Sequence, residues 1–116
     1  MSIERFETGR RMSSAVVHNG TVYLAGIVAD KTREKGTREQ TVEVLSIIDA
    51  TLASVGSDKT KILSAQIFLT NIADFTEMNA AWDAWVPQGH TPARATVEAA
   101  LAGPDYRVEI MVVAAK

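Results

Sequence analysis

Cysteine is missing altogether from the 116 residues, which excludes disulfides, thiolate metal sites and a thiol nucleophile together. Histidine occurs only twice, at His18 and His90, too few and too scattered for a zinc site. Charge of one sign is lacking too. Twelve Lys+Arg against fourteen Asp+Glu leave a net −2, so no basic field recruits nucleic acid or an anionic membrane. No apolar run approaches a membrane span, and the opening Met1-Ser2-Ile3-Glu4-Arg5-Phe6 lacks a signal peptide's apolar stretch. A soluble cytoplasmic protein is expected, which the absence of cysteine suits. With no repeat, linker or low-complexity segment, residues 1–116 are expected to form a single domain around one core.

What is present alternates. Residues 14–18 and 21–25 flank Asn19-Gly20, a pair that tolerates the positive φ of a two-residue hairpin turn. Gly26 follows, where a backbone bends or approaches a ligand closely. A short edge strand is expected over 3–7, a loop carrying Arg10 and Arg11 after it, and a mobile polar loop over 30–36. Thr37 with Gln40 reads as a capping box opening a helix, Leu45, Ile48, Leu52 and Val55 as its buried stripe, and Gly56 as its end. Residues 62–70 predict a strand with Leu63, Ala65, Ile67 and Leu69 on one face. Asp74, with Glu77 three residues on, predicts the cap of a second helix whose stripe is Met78, Trp82, Trp85 and Val86.

The last stretch, 91–116, reads as two alternating runs around Ala102-Gly103-Pro104-Asp105, predicting an antiparallel strand pair. Arg94, Thr96 and Glu98 share one face, and Glu109, Met111 and Val113 share one on the second strand. Arg94 and Glu109 are thus expected on neighbouring strands. Right-handed crossovers place both helices on the same face of the sheet. The other face, expected to carry Phe68, Thr70, Arg94, Thr96, Glu109, Met111 and Val113, is too apolar to stay wet, so a rotationally closed homo-oligomer is expected.

Four stretches resemble the Rid family of reactive-intermediate deaminases, also called the YjgF family. They are Asn19-Gly20-Thr21-Val22-Tyr23-Leu24-Ala25-Gly26, Asp74-Phe75 with Met78-Asn79 and Trp82, Thr91-Pro92-Ala93-Arg94-Ala95-Thr96-Val97, and Val108-Glu109-Ile110. The resemblance implies an α+β, chorismate-mutase-like fold, a mixed six-stranded sheet with two helices on one face, assembled as a trimer with ligand sites between subunits. It also implies hydrolysis of imines, with no metal or organic cofactor. Arg94 matches the arginine that holds a substrate carboxylate, Glu109 the glutamate that positions water, and Asn79 a supporting asparagine. Met12, Ala25, Gly26 and Thr96 fall at the remaining substrate-binding positions. Met12 stands where the best-known members have tyrosine, Ala25 where they have serine, and Thr96 where they have cysteine. Ile27 replaces a common glutamine. A bulkier, more apolar imino acid than 2-aminoacrylate, or binding without turnover, accords with those replacements. The rival class is a non-catalytic trimeric module that binds small carboxylate metabolites or a protein partner. RNA cleavage, a third possibility, is disfavoured by the acidic balance and the lack of an aromatic-basic patch. Residue types alone leave Arg10, Arg11 and His90 without an assigned role.

Overall fold

The computed structural model describes residues 2–116. Asn19 and Gly20 both take positive φ, 52° and 75°, and join β2 (Ala15–His18) to β3 (Thr21–Leu24) in the expected hairpin. A short β1 (Glu4–Phe6) pairs with the outer side of β2. After β3 the chain steps through Ala25-Gly26 into a two-residue β4 (Ile27–Val28). Helix α1 (Thr37–Ser54), β5 (Ile62–Leu69), α2 (Phe75–Trp85), β6 (Ala93–Glu98) and β7 (Val108–Ala115) complete the chain. The sheet runs β1-β2-β3-β7-β5-β6, with β4 placed end to end with β3 along β7. It is therefore six strands wide, as expected, with one strand interrupted. All its pairings are antiparallel except β5 with β6.

Both helices cover one face. Leu45, Ile48 and Leu52 of α1 and Met78 and Trp82 of α2 are buried against Val22, Ile67, Ile110 and Val112 of the sheet. Burying each such aliphatic side chain stabilises the fold by about 1.5–3 kcal/mol relative to exposure. Trp85 lies at the margin and donates its indole N–H to Asp49 at 2.9 Å. Helix α1 ends as expected. Gly56 takes φ 82°, and its N–H and that of Ser57 return to the carbonyls of Ala53 and Leu52.

Four local expectations are corrected. First, β6 and β7 are not partners, because β5 lies between them. The α2 crossover sets β6 parallel to β5, and the long 99–107 connection lets β7 return on the other side of β5. Strand β7, buried at every second residue, needs two neighbours, whereas the more polar β6 tolerates an edge. Second, Leu63 is 53% exposed, because a bulge between Ile62 and Ser64 shifts the alternation by one residue. Third, no capping box forms at α1. Gly36 is the cap residue, and Gln40 is buried instead, its amide donating to the carbonyls of Arg33 and Asp105 and accepting from the Arg107 N–H. Fourth, Asp74 sits at the start of α2 without capping it, and accepts the Thr37 hydroxyl at 2.8 Å, tying the two helix starts together.

The polar loop after β4 is tied down. The Glu43 carboxylate accepts from the N–H groups of Asp30, Lys31 and Thr32 and from the Thr32 hydroxyl, at 2.6–3.0 Å. Partial desolvation raises its pKa, but the Thr32 hydroxyl and the three backbone donors together outweigh that and bring it from 4.5 to about 2. A depressed carboxylate contributes stability above its unfolded value and loses it as pH falls toward the folded one. Glu43→Gln is expected to cost about 1–2 kcal/mol at pH 7, and urea titrations should show that deficit shrinking between pH 4.5 and 2.

Candidate functional site

The residues expected to form a site separate into two groups within one chain. The first is built on β6 and α2. Arg94 stands opposite Ala65 of β5, and Ala65 is in the core, so Arg94 projects to the helix-covered face. Its Nη1 donates to Asn79 Oδ1 at 2.8 Å. The guanidinium carbon lies 5.8 Å from the ring centroid of Phe75 and 5.1 Å from that of Trp82. Phe75, Asn79 and Trp82 are spaced four and three apart, which puts them on one side of α2. The arginine is therefore held between two rings and an amide.

No carboxylate among the described residues lies within ion-pair distance of Arg94. Among the described residues, only one of its five donors is taken by a protein acceptor. Two residues along the same face, the Thr96 hydroxyl oxygen is buried with no hydrogen-bond partner. Leaving such a group unsatisfied costs about 1–3 kcal/mol. A half-buried cation with free donors and an orphan hydroxyl suit a small anion that brings its own oxygens.

The second group surrounds the β3–β4 interruption. Met12, Ala25 and Gly26 share a cleft of about 250 Å³ with Glu7, Ile47 and Thr51. Met12 is 65% exposed on the 7–14 loop. Gly26 has a steric reason to be glycine, since a β-carbon there would stand 2.1 Å from Glu109 Oε2. The Glu109 carboxylate thus leans across the Gly26 backbone. Glu109 itself stands in register with Phe68 and Val28, on the face the helices leave open, and lines a second cleft of about 260 Å³ with Leu101.

Arg94 and Glu109 are consequently not neighbours, and the expectation that they share a face is overturned. Arg94 aligns with Ala65 and Val112, whereas Glu109 aligns with Phe68 and Val97. Two strand intervals and three residues separate them, about 14 Å, and they project from opposite sides of the sheet. Thr96 moves to the helix side for the same reason. Phe68, Glu109, Met111 and Val113 remain on the open face, joined by Tyr23, Leu63 and Val97, which are 47%, 53% and 48% exposed. His90 lies in the loop after α2, near enough to Asp58 to help lower its carboxylate pKa after the Thr60 contacts. The helical stripe of α2 accounts for Trp82 as a core residue alone; its ring is both buried and a platform for the guanidinium.

A mixed sheet with two helices packed on one face is the chorismate-mutase-like fold. The family model described as Endoribonuclease L-PSP matches residues 2–116, so the chain belongs to that family, which the Rid and YjgF names also denote. A RutC family protein of Haemophilus influenzae is 47% identical over 114 residues, covering 98% of each chain. The crystal structure of a YjgF family member from Neisseria meningitidis superposes with a TM-score of 0.97 at 49% identity, covering 100% of this chain and 96% of that one. The chloroplastic Reactive Intermediate Deaminase A of Arabidopsis thaliana is 27% identical over 88% of this chain and 57% of its own length.

Proposed function

We propose that the protein is a hydrolytic deaminase of enamine and imine intermediates, converting an α-imino acid and water to a 2-oxo acid and ammonia. The observation that carries this reading is Arg94, held by Asn79 and two rings with its remaining donors unpaired. A planar guanidinium gives two parallel hydrogen bonds to a carboxylate and does not deprotonate. Family membership, with a relative named as a reactive intermediate deaminase, supports the same chemistry. The family's name, Endoribonuclease L-PSP, points to RNA cleavage, but a net charge of −2 does not suit RNA.

In this reading Arg94 fixes the carboxylate, and Thr96 supplies a hydroxyl to the bound acid. Water adds to the C=N carbon to give a carbinolamine. Glu109 takes a proton from that water as it adds and passes it to the imine nitrogen. It then takes the carbinolamine hydroxyl proton and delivers it to the amino group, so the C–N bond breaks, ammonia leaves and the C=O forms. Such imines hydrolyse unaided, and orientation with modest acid-base help suffices. No cofactor enters the scheme. Because Arg94 and Glu109 lie on opposite faces of one sheet, the ligand meets both only between protomers. The exposed apolar side chains of the open face favour such an assembly, a rotationally closed trimer. Arg94 of one copy then faces Gly26 and Glu109 of the next.

The alternative is a trimeric module that binds a carboxylate metabolite without turnover, favoured by Met12 and Ala25, which give the second group apolar walls. An imine generated by an amino-acid oxidase should decay faster with the protein than in buffer. Glu109→Gln should keep the affinity for the 2-oxo acid, by calorimetry, while losing turnover. A wild-type rate no better than buffer, with the oxo acid still bound, establishes the module.

A further inference from the structure

The cleft that holds Met12, Ala25 and Gly26 does not end there. A second lobe of about 300 Å³, walled by Phe6, Ala50 and Ser54, shares Glu7, Ser14 and Thr51 with it. The two form one groove between α1 and the 7–14 loop. Its polar surface is one-sided. Thr51 and Ser54 spend their hydroxyl protons on the helix carbonyls of Ile47 and Thr51, at 2.8 and 2.6 Å. Ser14 spends its own on Glu7 Oε2 at 3.0 Å. What faces the groove is therefore lone pairs and a carboxylate, with Glu7 Oε1 accepting from no donor among the described residues.

Glu7 stands at the junction of the lobes by construction. It takes φ 48°, a left-handed conformation uncommon for a residue other than glycine. That turn ends β1 and swings the side chain over α1. The same Ser14 that holds the carboxylate also donates its N–H to Phe6 and accepts from the N–H of Ala25, so Glu7 is indexed to the Ala25-Gly26 step. Arg10 and Arg11 are at the exposed tip of the loop, where Gly9 N–H closes a turn onto Met12, and line neither lobe.

We propose that this groove takes the substrate's side chain and that Glu7 reads a cationic hydrogen-bond donor on it. The substrate class is then an α-imino acid with a carboxylate at one end and a guanidinium or ammonium at the other. Apolar walls cover the methylene stem, and the acceptor surface meets the charged head. This inference rests on the deaminase reading for its substrate chemistry, though not for the recognition itself.

The test compares imines made in situ from L-arginine and from L-norleucine, a cationic and a neutral straight chain, with wild type and Glu7→Gln. Wild type should show kcat/KM about tenfold higher for the guanidinium-bearing imine, the worth of one charge-assisted hydrogen bond. In Glu7→Gln the ratio should fall close to one. Acceleration of both imines without preference, or a preference that survives Glu7→Gln, overturns the inference and leaves the deaminase reading standing. If neither imine is accelerated, the deaminase reading fails instead, and calorimetry with the two corresponding 2-oxo acids decides this one. Tighter binding of the guanidinium acid that Glu7→Gln abolishes supports it, and equal affinities overturn it.

Discussion

Replacing Arg94 by alanine is expected to lower kcat/KM for imine hydrolysis by roughly 10²–10³-fold, the cost of losing a partly buried, two-pronged grip on a carboxylate. The loss should appear as a raised KM and a lowered kcat together, because the same contact binds the acid and orients its imine carbon toward water. Arg94→Lys is the sharper variant. It keeps the charge but not the planar fork, and a compact ammonium stacks less well between Phe75 and Trp82. An intermediate deficit, roughly tenfold or more, is expected for it. Neither change should unfold the protein, since Arg94 is on an edge strand and its single protein hydrogen bond is to Asn79. Circular dichroism and urea midpoints check that separately from rate. An Arg94→Ala protein that hydrolyses imines as fast as wild type removes the guanidinium from the reaction.

The alternation of residues around Asn19-Gly20, the helical stripes and the glycine at position 56 made the element order legible, because each signal is local. Strand adjacency was not local. Residues 93–98 and 108–115 look like a hairpin from the Gly103-Pro104 break alone, and nothing in that stretch announces that β5 inserts between them. A single inserted strand changes which side chains meet, and Arg94 with Thr96 moved to the covered face as a result. The bulge at Leu63 hid itself similarly, since one extra residue leaves composition unchanged while reversing the alternation. Gln40 and Asp74 kept the residue types that cap helices, yet their side chains serve tertiary partners, 65 and 37 residues away in sequence. The two-ring seat of Arg94 was readable in principle. Phe75, Asn79 and Trp82 fall on one side of α2, and an aromatic-amide-aromatic row facing an edge arginine is a signal beyond simple core packing.

The division of the site residues between two faces leads to a mixing experiment with a quantitative outcome. Arg94→Ala and Glu109→Gln should each be nearly inactive alone. Joined in mixed assemblies, by refolding the two together in equal amounts, they should regain activity. A site composed of Arg94 from one protomer and Glu109 from the next is intact whenever a Glu109→Gln copy supplies the arginine and an Arg94→Ala copy supplies the glutamate. With random mixing around a closed ring that ordered pairing occurs at about one site in four, whatever the ring size. Recovery to about a quarter of the wild-type rate per site is the expected result. A site made within one protomer would carry one lesion everywhere, and mixing would then restore nothing. The separation of about 14 Å and the opposed faces make the second outcome geometrically hard to reach. Light scattering on the same samples gives the assembly size. A stable monomer that nonetheless hydrolyses imines would mean that Arg94 and Glu109 do not act on the same ligand.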